Sequence, residues 1–415
     1  MPPSEVSIAI VGGGIGGLTA ALSLLQAGFD AHVYERATAL REVGAGIQIS
    51  PNASRVLHRL GLAAELAQMG VRPLAWHQRR WQDGRTLLRT PLARAIETAF
   101  GFPHYQTHRA DLLNALLRAV PAERVHPGHR LTSFIDHGDR VEAAFQNGAR
   151  VTADVLVGAD GIHSAVRGTL FGPQEPRFTG CACYRGLIPA ERLRHLNLEV
   201  TAQVWMGPGK HFVHYFVQNR QLVNFVALIE QPIWTGESWT DPGNVADALA
   251  LYEGWHNQVR AIMSAVDETF IWAIFERAPL RRWSVGRVTL LGDSCHAMVP
   301  FLAQGAAQAI EDGAALAGCL AASGGRDIAA ALQRYEAIRL PRTSRVQAAS
   351  MANKARFHFE DGPEQEERDR LMATGSTDWS NSAIAWIYGH DASKLEGSAG
   401  AACCWNHLET PRDRI

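Results

Sequence analysis

The sequence of 415 residues predicts an α/β fold: a doubly wound parallel sheet, an antiparallel sheet inserted into it, and a C-terminal helix followed by a tail. Three observations carry this. An apolar run over residues 8–11 enters Gly12-Gly13-Gly14-Ile15-Gly16-Gly17, and a helix-forming stretch over 18–27 leaves it. Two later apolar strands each end in an aspartate beside a glycine, at Asp160-Gly161 and Gly292-Asp293. Between Phe178 and Ile274 the texture changes to alternating β-type runs, as in 203–206, 212–217 and 222–228, which read as an antiparallel sheet with one covered face.

Taken in order, Gly12 permits the first tight turn, Gly14 lets backbone approach a pyrophosphate, and Gly17 lets helix and strand pack, so that free helix N–H groups point at an anion. A second strand over 31–34 ends in Glu35, a carboxylate placed to accept hydrogen bonds from an adenosine ribose diol. NAD and FAD share this fingerprint, so these residues leave both open. Gly44 and Gly46, inside a strand-like run, mark either a close approach of backbone to a ligand or a bulged loop. Asn52 is read as the cap of a helix that ends at Leu60 and Gly61. A polar hairpin around Asp83-Gly84 leaves the nucleotide domain. Arg109 opens a leucine-lined helix; a cation there opposes the helix dipole and is held by a cofactor phosphate or by a surface carboxylate.

Asp160 stands at the end of a buried strand, where it is either a ligand group or a helix cap. In the inserted sheet, Trp205, His211, His214, Tyr215 and Asn224 are of the kind that line a pocket for a small ring. By period-two alternation His211, Val213 and Tyr215 share one face and His214 points away. A helix is expected over 245–264. After Gly292-Asp293, Gly305 and Ala306 open an alanine-rich helix whose N-terminus is a second site of positive potential. Cys295 and His296 read as a packed thiol and a loop histidine rather than a nucleophile and its base. A further helix is expected over 328–350, and the tail carries Trp386-Ile387-Tyr388-Gly389-His390-Asp391, a patch that docks on the body or on a second subunit.

Forty basic against forty-one acidic residues leave a formal net charge of −1, which predicts neither nucleic acid nor an anionic membrane as a partner. Six cysteines lack paired zinc spacing and are too sparse for a disulfide framework, so no metal site is expected and reduced thiols fit a cytoplasmic protein. The N-terminus passes directly into the first strand, and no apolar run reaches membrane-spanning length.

The glycine fingerprint with Glu35, the Asp160-Gly161 strand end and the Gly292-Asp293 strand end with its glycine-opened helix together resemble the single-component FAD-dependent aromatic hydroxylases, over nearly the whole chain. Gly44-Ala45-Gly46-Ile47, His108-Arg109-Ala110-Asp111-Leu112, Ala303-Gln304-Gly305-Ala306 and the Trp386 to Asp391 segment are most similar to the branch acting on salicylate, 3-hydroxybenzoate and 6-hydroxynicotinate. The resemblance implies a Rossmann-like FAD-binding domain over 1–75, 100–177 and 280–325, a substrate domain over 76–99 and 178–279, and a C-terminal helix and tail over 326–415. It implies that Gly12, Gly14, Gly16 and Gly17 hold the FAD pyrophosphate, Glu35 and Arg36 the adenosine end, Asp293 the ribityl or phosphate end, with Gln48, Arg109, Gly305 and Ala306 also at FAD. Asp160 serves both FAD and NADH or NADPH, and the nicotinamide visits transiently because no second Gly-x-Gly-x-x-Gly is present.

The implied reaction has two parts: NAD(P)H reduces FAD, and O2 then forms a flavin C4a-hydroperoxide that an electron-rich phenolate attacks. Such chemistry needs a base and a dry pocket; the resemblance places Tyr215 at the reacting ring, and strand alternation favours His211 over His214 as its polar partner. Gln48 and Phe301 stand where pyridine hydroxylases of the group carry histidines, and Gln48 cannot take a proton near neutral pH. The expected substrate is therefore a small phenolic carboxylate of salicylate or 3-hydroxybenzoate type, with a hydroxypyridine or larger aromatic as the alternative and a non-catalytic flavin-binding protein as the alternative of another class. Tyr184 and Arg185 are candidates for the carboxylate, against a plain surface arginine. A monomer or a homodimer is expected.

Overall fold

In a computed structural model that describes residues 3–39, 45–232, 242–375 and 382–395, the N-terminal run forms β1 (Ser7–Val11), the glycine turn leads into α1 (Ile15–Gln26), and β2 (Asp30–Tyr34) returns parallel to β1. Gly17 is where helix and strand come closest: a Cβ there would stand 2.0 Å from the carbonyl oxygen of Gly12, so any side chain would push α1 off the sheet. The next elements are β3 (Gly46–Ile49), α2 (Pro51–Arg59) and α3 (Ala63–Met69). Asn52 is not the cap of α2. Ser50 holds that position and Pro51 opens the helix, which places Asn52 in the first turn with its amide turned inward, donating to Gln304 (3.1 Å) and Glu311 (2.6 Å).

The hairpin β4 (Ala75–Arg80) and β5 (Thr86–Pro91) is followed by α4 (Ala93–Phe100), β6 (Tyr105–His108), α5 (Arg109–Ala119) and the short β7 (Val125–His126). A small antiparallel sheet of β8 (Leu131–Asp136), β9 (Val141–Phe145) and β10 (Arg150–Ala153) precedes β11 (Val155–Gly158) and α6 (Ala165–Phe171). The long strands β12 (Arg177–Pro189), β13 (Ala202–Gly207), β14 (Lys210–Val217) and β15 (Leu222–Glu230) come next, then β16 (Pro242–Gly243). The single helix expected over 245–264 is two, α7 (Val245–Leu251) and α8 (Asn257–Ser264). Gly254 turns at φ +77° between them, and the ring of His256 caps α8 by accepting from the N–H of Gln258. β17 (Thr269–Glu276), β18 (Val288–Leu290), α9 (Asp293–His296), α10 (Gly305–Ser323), α11 (Ile328–His358), α12 (Pro363–Ala373) and α13 (Ala385–Tyr388) complete the chain.

Two sheets organise these elements. The five-stranded sheet, in the order β18-β11-β1-β2-β7, is parallel throughout. The eight-stranded sheet, β16-β17-β12-β15-β14-β13-β4-β5, is antiparallel except where β4 lies parallel to β13, so the expected antiparallel sheet is mixed at that one pair. The hairpin reaches it from elsewhere in the chain, and direct hairpin connection is what otherwise enforces antiparallel pairing. One face of this sheet packs on α7 and α8 through Tyr252, Trp255 and Val259, and the other turns toward the parallel sheet.

α10 and α11 are held together by buried charge. Arg339 is fully buried and donates to Asp312 (2.7 Å), Glu311 (2.5 Å) and the carbonyl of Gln308 (3.2 Å), while Arg342 donates twice more to Glu311. Burial pushes the Glu311 carboxyl up, yet Arg342 and Arg339 together hold it far below the usual carboxylate range. The Trp386 patch docks on its own chain: Ile387 and Tyr388 are buried with Leu92 and Ile96, Arg345 lies 3.8 Å from the Trp386 ring, and Arg59 and Asp391 pair at 2.6 Å. Cys403 and Cys404 lie outside the described residues, as does Gly44.

Arg339→Met should lower stability by about 3–5 kcal/mol by leaving two buried carboxylates short of a partner, read as a lower urea midpoint. Arg150→Ala, at a pair with Glu142 where Arg150 is 72% exposed, should leave that midpoint nearly unchanged.

Candidate active site

A cavity of about 930 Å³ lies where the carboxyl ends of the parallel strands meet the inner face of the eight-stranded sheet. Gly14, Gly16, Arg36, Arg109, Asp160, Asp293, Gly305 and Ala306 line one end of it. Trp76, Val204, Met206, His211, Val213 and Tyr215 line the other, and Gln48 joins the same wall. Three of the residues expected at a cofactor stand behind this lining. Gly12 and Gly17 shape the turn, and Glu35 accepts from the N–H groups of Gly13 (2.7 Å) and Ala37 (2.8 Å).

At the glycine end two helix N-termini converge. Neither Gly14, which precedes α1, nor Gln304, which precedes α10, supplies a side-chain cap, so first-turn N–H groups are left to the cavity. A Cβ built on Gly14 meets nothing within 4 Å, so the backbone there is open to a ligand. Arg36 and Arg109 add positive charge to the same end, and Arg109 thus faces the cavity. The cap of α6 is Ser164, which accepts from the N–H of Arg167 at 2.9 Å; Asp160 adds to it, accepting from the N–H groups of Ala165 (2.7 Å) and Val166 (3.2 Å), while lining the cavity. Asp293 follows Gly292, whose N–H is held by Asp312 at 3.0 Å.

Gly46 lines the cavity and also makes a close approach to protein. A Cβ there would stand 2.6 Å from Cγ of Asn224 and 2.7 Å from the ring of Tyr215, and the Gly46 N–H donates to Asn224 at 2.7 Å. This glycine therefore seats the flank of the parallel sheet on β14 and β15. Along β14, His211, Val213 and Tyr215 face the cavity, and His214 is buried on the other side. Desolvation holds His211 well below its ordinary value and pushes Tyr215 up, so the first is neutral and the second keeps its proton. Gln48 accepts from Nε2 of His104 at 3.1 Å, and burial lowers that histidine to about 3.

Arg185 lies on the cavity wall, its guanidinium 4.2 Å from the Trp272 ring and its Nε buried without an acceptor, and it has no ion pair among the described residues. Tyr184 alternates to the opposite face, among the residues packed on α7 and α8. His296 is not a loop histidine: it is 1% exposed and bonded to Asp312 at 2.6 Å, because α9 turns it inward. Cys295, His296 and Asp312 bring donor atoms within 4.8 Å of one another, but Asp312 already serves Arg339 and Gly292, and burial pushes the thiol up into its protonated form.

One site residue escaped the sequence pattern. α11 runs to His358 rather than stopping near 350, and carries that histidine to Nδ1 of His211 at 2.6 Å. The stretch Met351-Ala352-Asn353-Lys354-Ala355-Arg356 contains no helix breaker, which is the signal that extends the helix.

Gly46→Ala should cost about 1–3 kcal/mol by overpacking against Tyr215 and Asn224. Gly168→Ala, inside α6 where a Cβ meets nothing within 4 Å, should stabilise by up to about 1 kcal/mol. Urea unfolding of both variants checks the contrast.

A family model described as an FAD binding domain matches residues 5–350. The 3-amino-4-hydroxybenzoate 2-monooxygenase of Streptomyces platensis is 44% identical over 388 residues, covering 94% of this chain and 97% of that protein. The 6-hydroxynicotinate 3-monooxygenase of Bordetella bronchiseptica is 37% identical over 349 residues, covering 83% and 91%. Among solved structures, HpxO of Klebsiella pneumoniae complexed with FAD and uric acid superposes with a TM-score of 0.81 at 27% identity, covering 96% of this chain and 99% of that one. Among the described residues no helix is long and apolar enough to cross a membrane. A fold matched over almost its whole length, with a glycine turn and a polar strand face on one cavity, agrees with these likenesses: the chain belongs to the FAD binding domain family and is an FAD-dependent aromatic monooxygenase of the salicylate hydroxylase type.

Proposed function

We propose that this monooxygenase hydroxylates a small phenolic carboxylate, with NADH or NADPH as transient reductant and O2 as the oxygen source. One observation carries the reading: a single cavity runs from the glycine loop and the α10 N-terminus to His211 and Tyr215, with Arg185, which has no ion pair among the described residues, on its wall. The names of relatives support the substrate class, since they include monooxygenases of 3-amino-4-hydroxybenzoate and hydroxylases of salicylate and 3-hydroxybenzoate.

The residues fit a flavin dinucleotide. Open backbone at Gly14, next to Gly16 on the lining and shaped by Gly12 and Gly17, would receive the pyrophosphate; Glu35 and Arg36 would take the adenosine end, and Arg109, Gln48, Asp160 and Asp293 would supply polar contacts along the cavity. The uncapped N–H groups of Gly305 and Ala306 at the start of α10 would stabilise negative charge on the bound flavin. When bound, the flavin supplies the electron transfer from nicotinamide and the activation of oxygen.

The chain's own residues do the rest. Val204, Met206, Val213, Val226, Leu228 and Phe301 form an apolar wall that keeps water from the reacting atoms. Tyr215, held protonated by burial, donates to the phenolic oxygen as negative charge gathers on it. Neutral His211 accepts a proton in the same space. Arg185 meets the carboxylate and fixes which ring carbon faces the flavin.

The test is oxidation of NADH and NADPH, O2 uptake and product mass with 3-amino-4-hydroxybenzoate, 4-hydroxybenzoate, salicylate, 3-hydroxybenzoate and 6-hydroxynicotinate. Stimulated oxidation with a hydroxylated product from a benzoate is expected; turnover of the hydroxypyridine alone would overturn the phenolic-carboxylate reading. Arg185→Met should raise KM for the carboxylate substrate about 10- to 100-fold, the loss of one charge-assisted contact, and leave KM for the matching carboxamide nearly unchanged.

A further inference from the structure

We infer that His211, His358 and Glu230 form a proton relay that carries the phenolic proton of the substrate out of the cavity to the protein surface; this rests on the reading of the enzyme as a phenol hydroxylase. Nδ1 of His211 lies 2.6 Å from Nε2 of His358, and Nδ1 of His358 lies 2.9 Å from Oε1 of Glu230. His211 and His358 side chains are buried, whereas the Glu230 side chain is 45% exposed, so the chain of contacts begins in the cavity and ends in water.

The hydrogen bonds assign every ring proton. Glu230 as a carboxylate only accepts, so His358 carries its proton on Nδ1 and offers a lone pair at Nε2. That lone pair accepts from Nδ1–H of His211, which leaves Nε2 of His211 unprotonated for the cavity. Desolvation lowers both imidazoles, which keeps both neutral at pH 7, as this arrangement requires.

In the transfer, the phenol O–H bond breaks as its proton joins Nε2 of His211. The Nδ1 proton of His211 passes to Nε2 of His358, and the Nδ1 proton of His358 passes to Glu230 and on to water. One proton leaves, no electrons change hands, and the substrate is left as a phenolate. The surroundings support that direction. Phe301 and Phe357 pack against the His211 ring and exclude water from its side of the relay. Lys354, on the same helix as His358, sits 3.8 Å from Glu230 and favours the ionised carboxylate after each release. Of the other titratable groups nearby, Tyr252 donates to the carbonyls of His211 and Leu228, Cys181 is buried beyond Lys354, and Arg356 and Arg368 stand on the cavity side of the helix end. His358 and Glu230 touch no substrate: they are positioning and relay residues acting through His211.

His358→Gln and Glu230→Gln test the relay in the flavin-loaded enzyme, using a phenol that the wild type hydroxylates. Both amides hold a hydrogen bond but pass no proton. Anaerobic difference spectra of the bound substrate report phenol against phenolate from about pH 6 to 9, and the hydroxylation rate is followed over the same range. In both variants the apparent ionisation of the bound phenol should move up by about one pH unit, with hydroxylation about tenfold slower below it and restored to wild-type rate above, where the phenol arrives ionised. An unchanged ionisation in both variants, or a loss equal at every pH, overturns the relay. Glu230→Gln lies at the exposed rim and keeps the test open if His358→Gln fails to fold. A wild type that hydroxylates nothing on the panel defeats the functional reading and the relay together, whereas an active wild type with unaffected variants defeats the relay alone.

Discussion

The buried contact of Arg339 with Glu311 and Asp312 is what the geometry of the site hangs from. Ions removed from water lose several kcal/mol of hydration each, and only a complete set of partners offsets this. Here the set is complete on the cavity side: Glu311 also receives Asn52 and Arg342, and Asp312 also receives His296 and the N–H of Gly292. Those bonds reach three different segments. Asn52 fixes α2 and, through it, β3 with Gln48; Gly292 and His296 fix the turn that carries Asp293; Arg339 and Arg342 fix α11. The cluster contributes position more than net stability, because charges this deeply buried have one low-energy arrangement. The N-terminus of α10 is thereby aimed at the cavity and cannot slide along α1.

The other wall is set by strand alternation. β14 is an interior strand, bonded to β13 and β15 on its two edges, so its register is fixed on both sides. A slip of one residue would exchange His211, Val213 and Tyr215 for Phe212, His214 and Phe216. Asn224, opposite Tyr215 on β15, accepts from Gly46 and ties that register to the parallel half. The two halves thus meet at a defined depth, with the glycine loop at one end of the cavity and His211 and Tyr215 at the other. The C-terminal segment closes a further side: Ile384, Trp386 and Tyr388 line the same cavity, and the carbonyls of Trp386 and Ile387 accept from Arg342. A single arginine side chain therefore links the charged cluster to the cavity wall.

Where the sequence pattern and the structure part, the reason is that short-range signals have several outlets. Asn52 has the chemistry of a cap and sits beside a helix start, but a buried glutamate and a buried glutamine compete for its amide and win. Residues 245–264 have unbroken helical character apart from Gly254, and one glycine decides between a tolerated defect and a turn only once Tyr252 has found two strand carbonyls to bond. His296 follows a strand and a turn like any loop residue, and its burial depends on Asp312, sixteen positions later. Glycine at 46 signals a close approach, but whether to ligand or protein is decided by β14 and β15.

The sequence alone determined the dinucleotide cradle, because a glycine turn between strand and helix is a local steric requirement, written in consecutive residues and followed at fixed distance by Glu35. It determined the order of the two strand-end aspartates, and the face shared by His211 and Tyr215, since a period of two is intrinsic to an extended chain. Tertiary structure alone decided what those residues face. Arg185 became a cation on the cavity wall with no ion pair among the described residues, and His211 acquired His358 and Glu230, because the contacts join strands and a helix end whose separation along the chain leaves no periodic trace. Hydrogen-bond partners across such distances are chosen by packing, and packing is a property of the whole molecule.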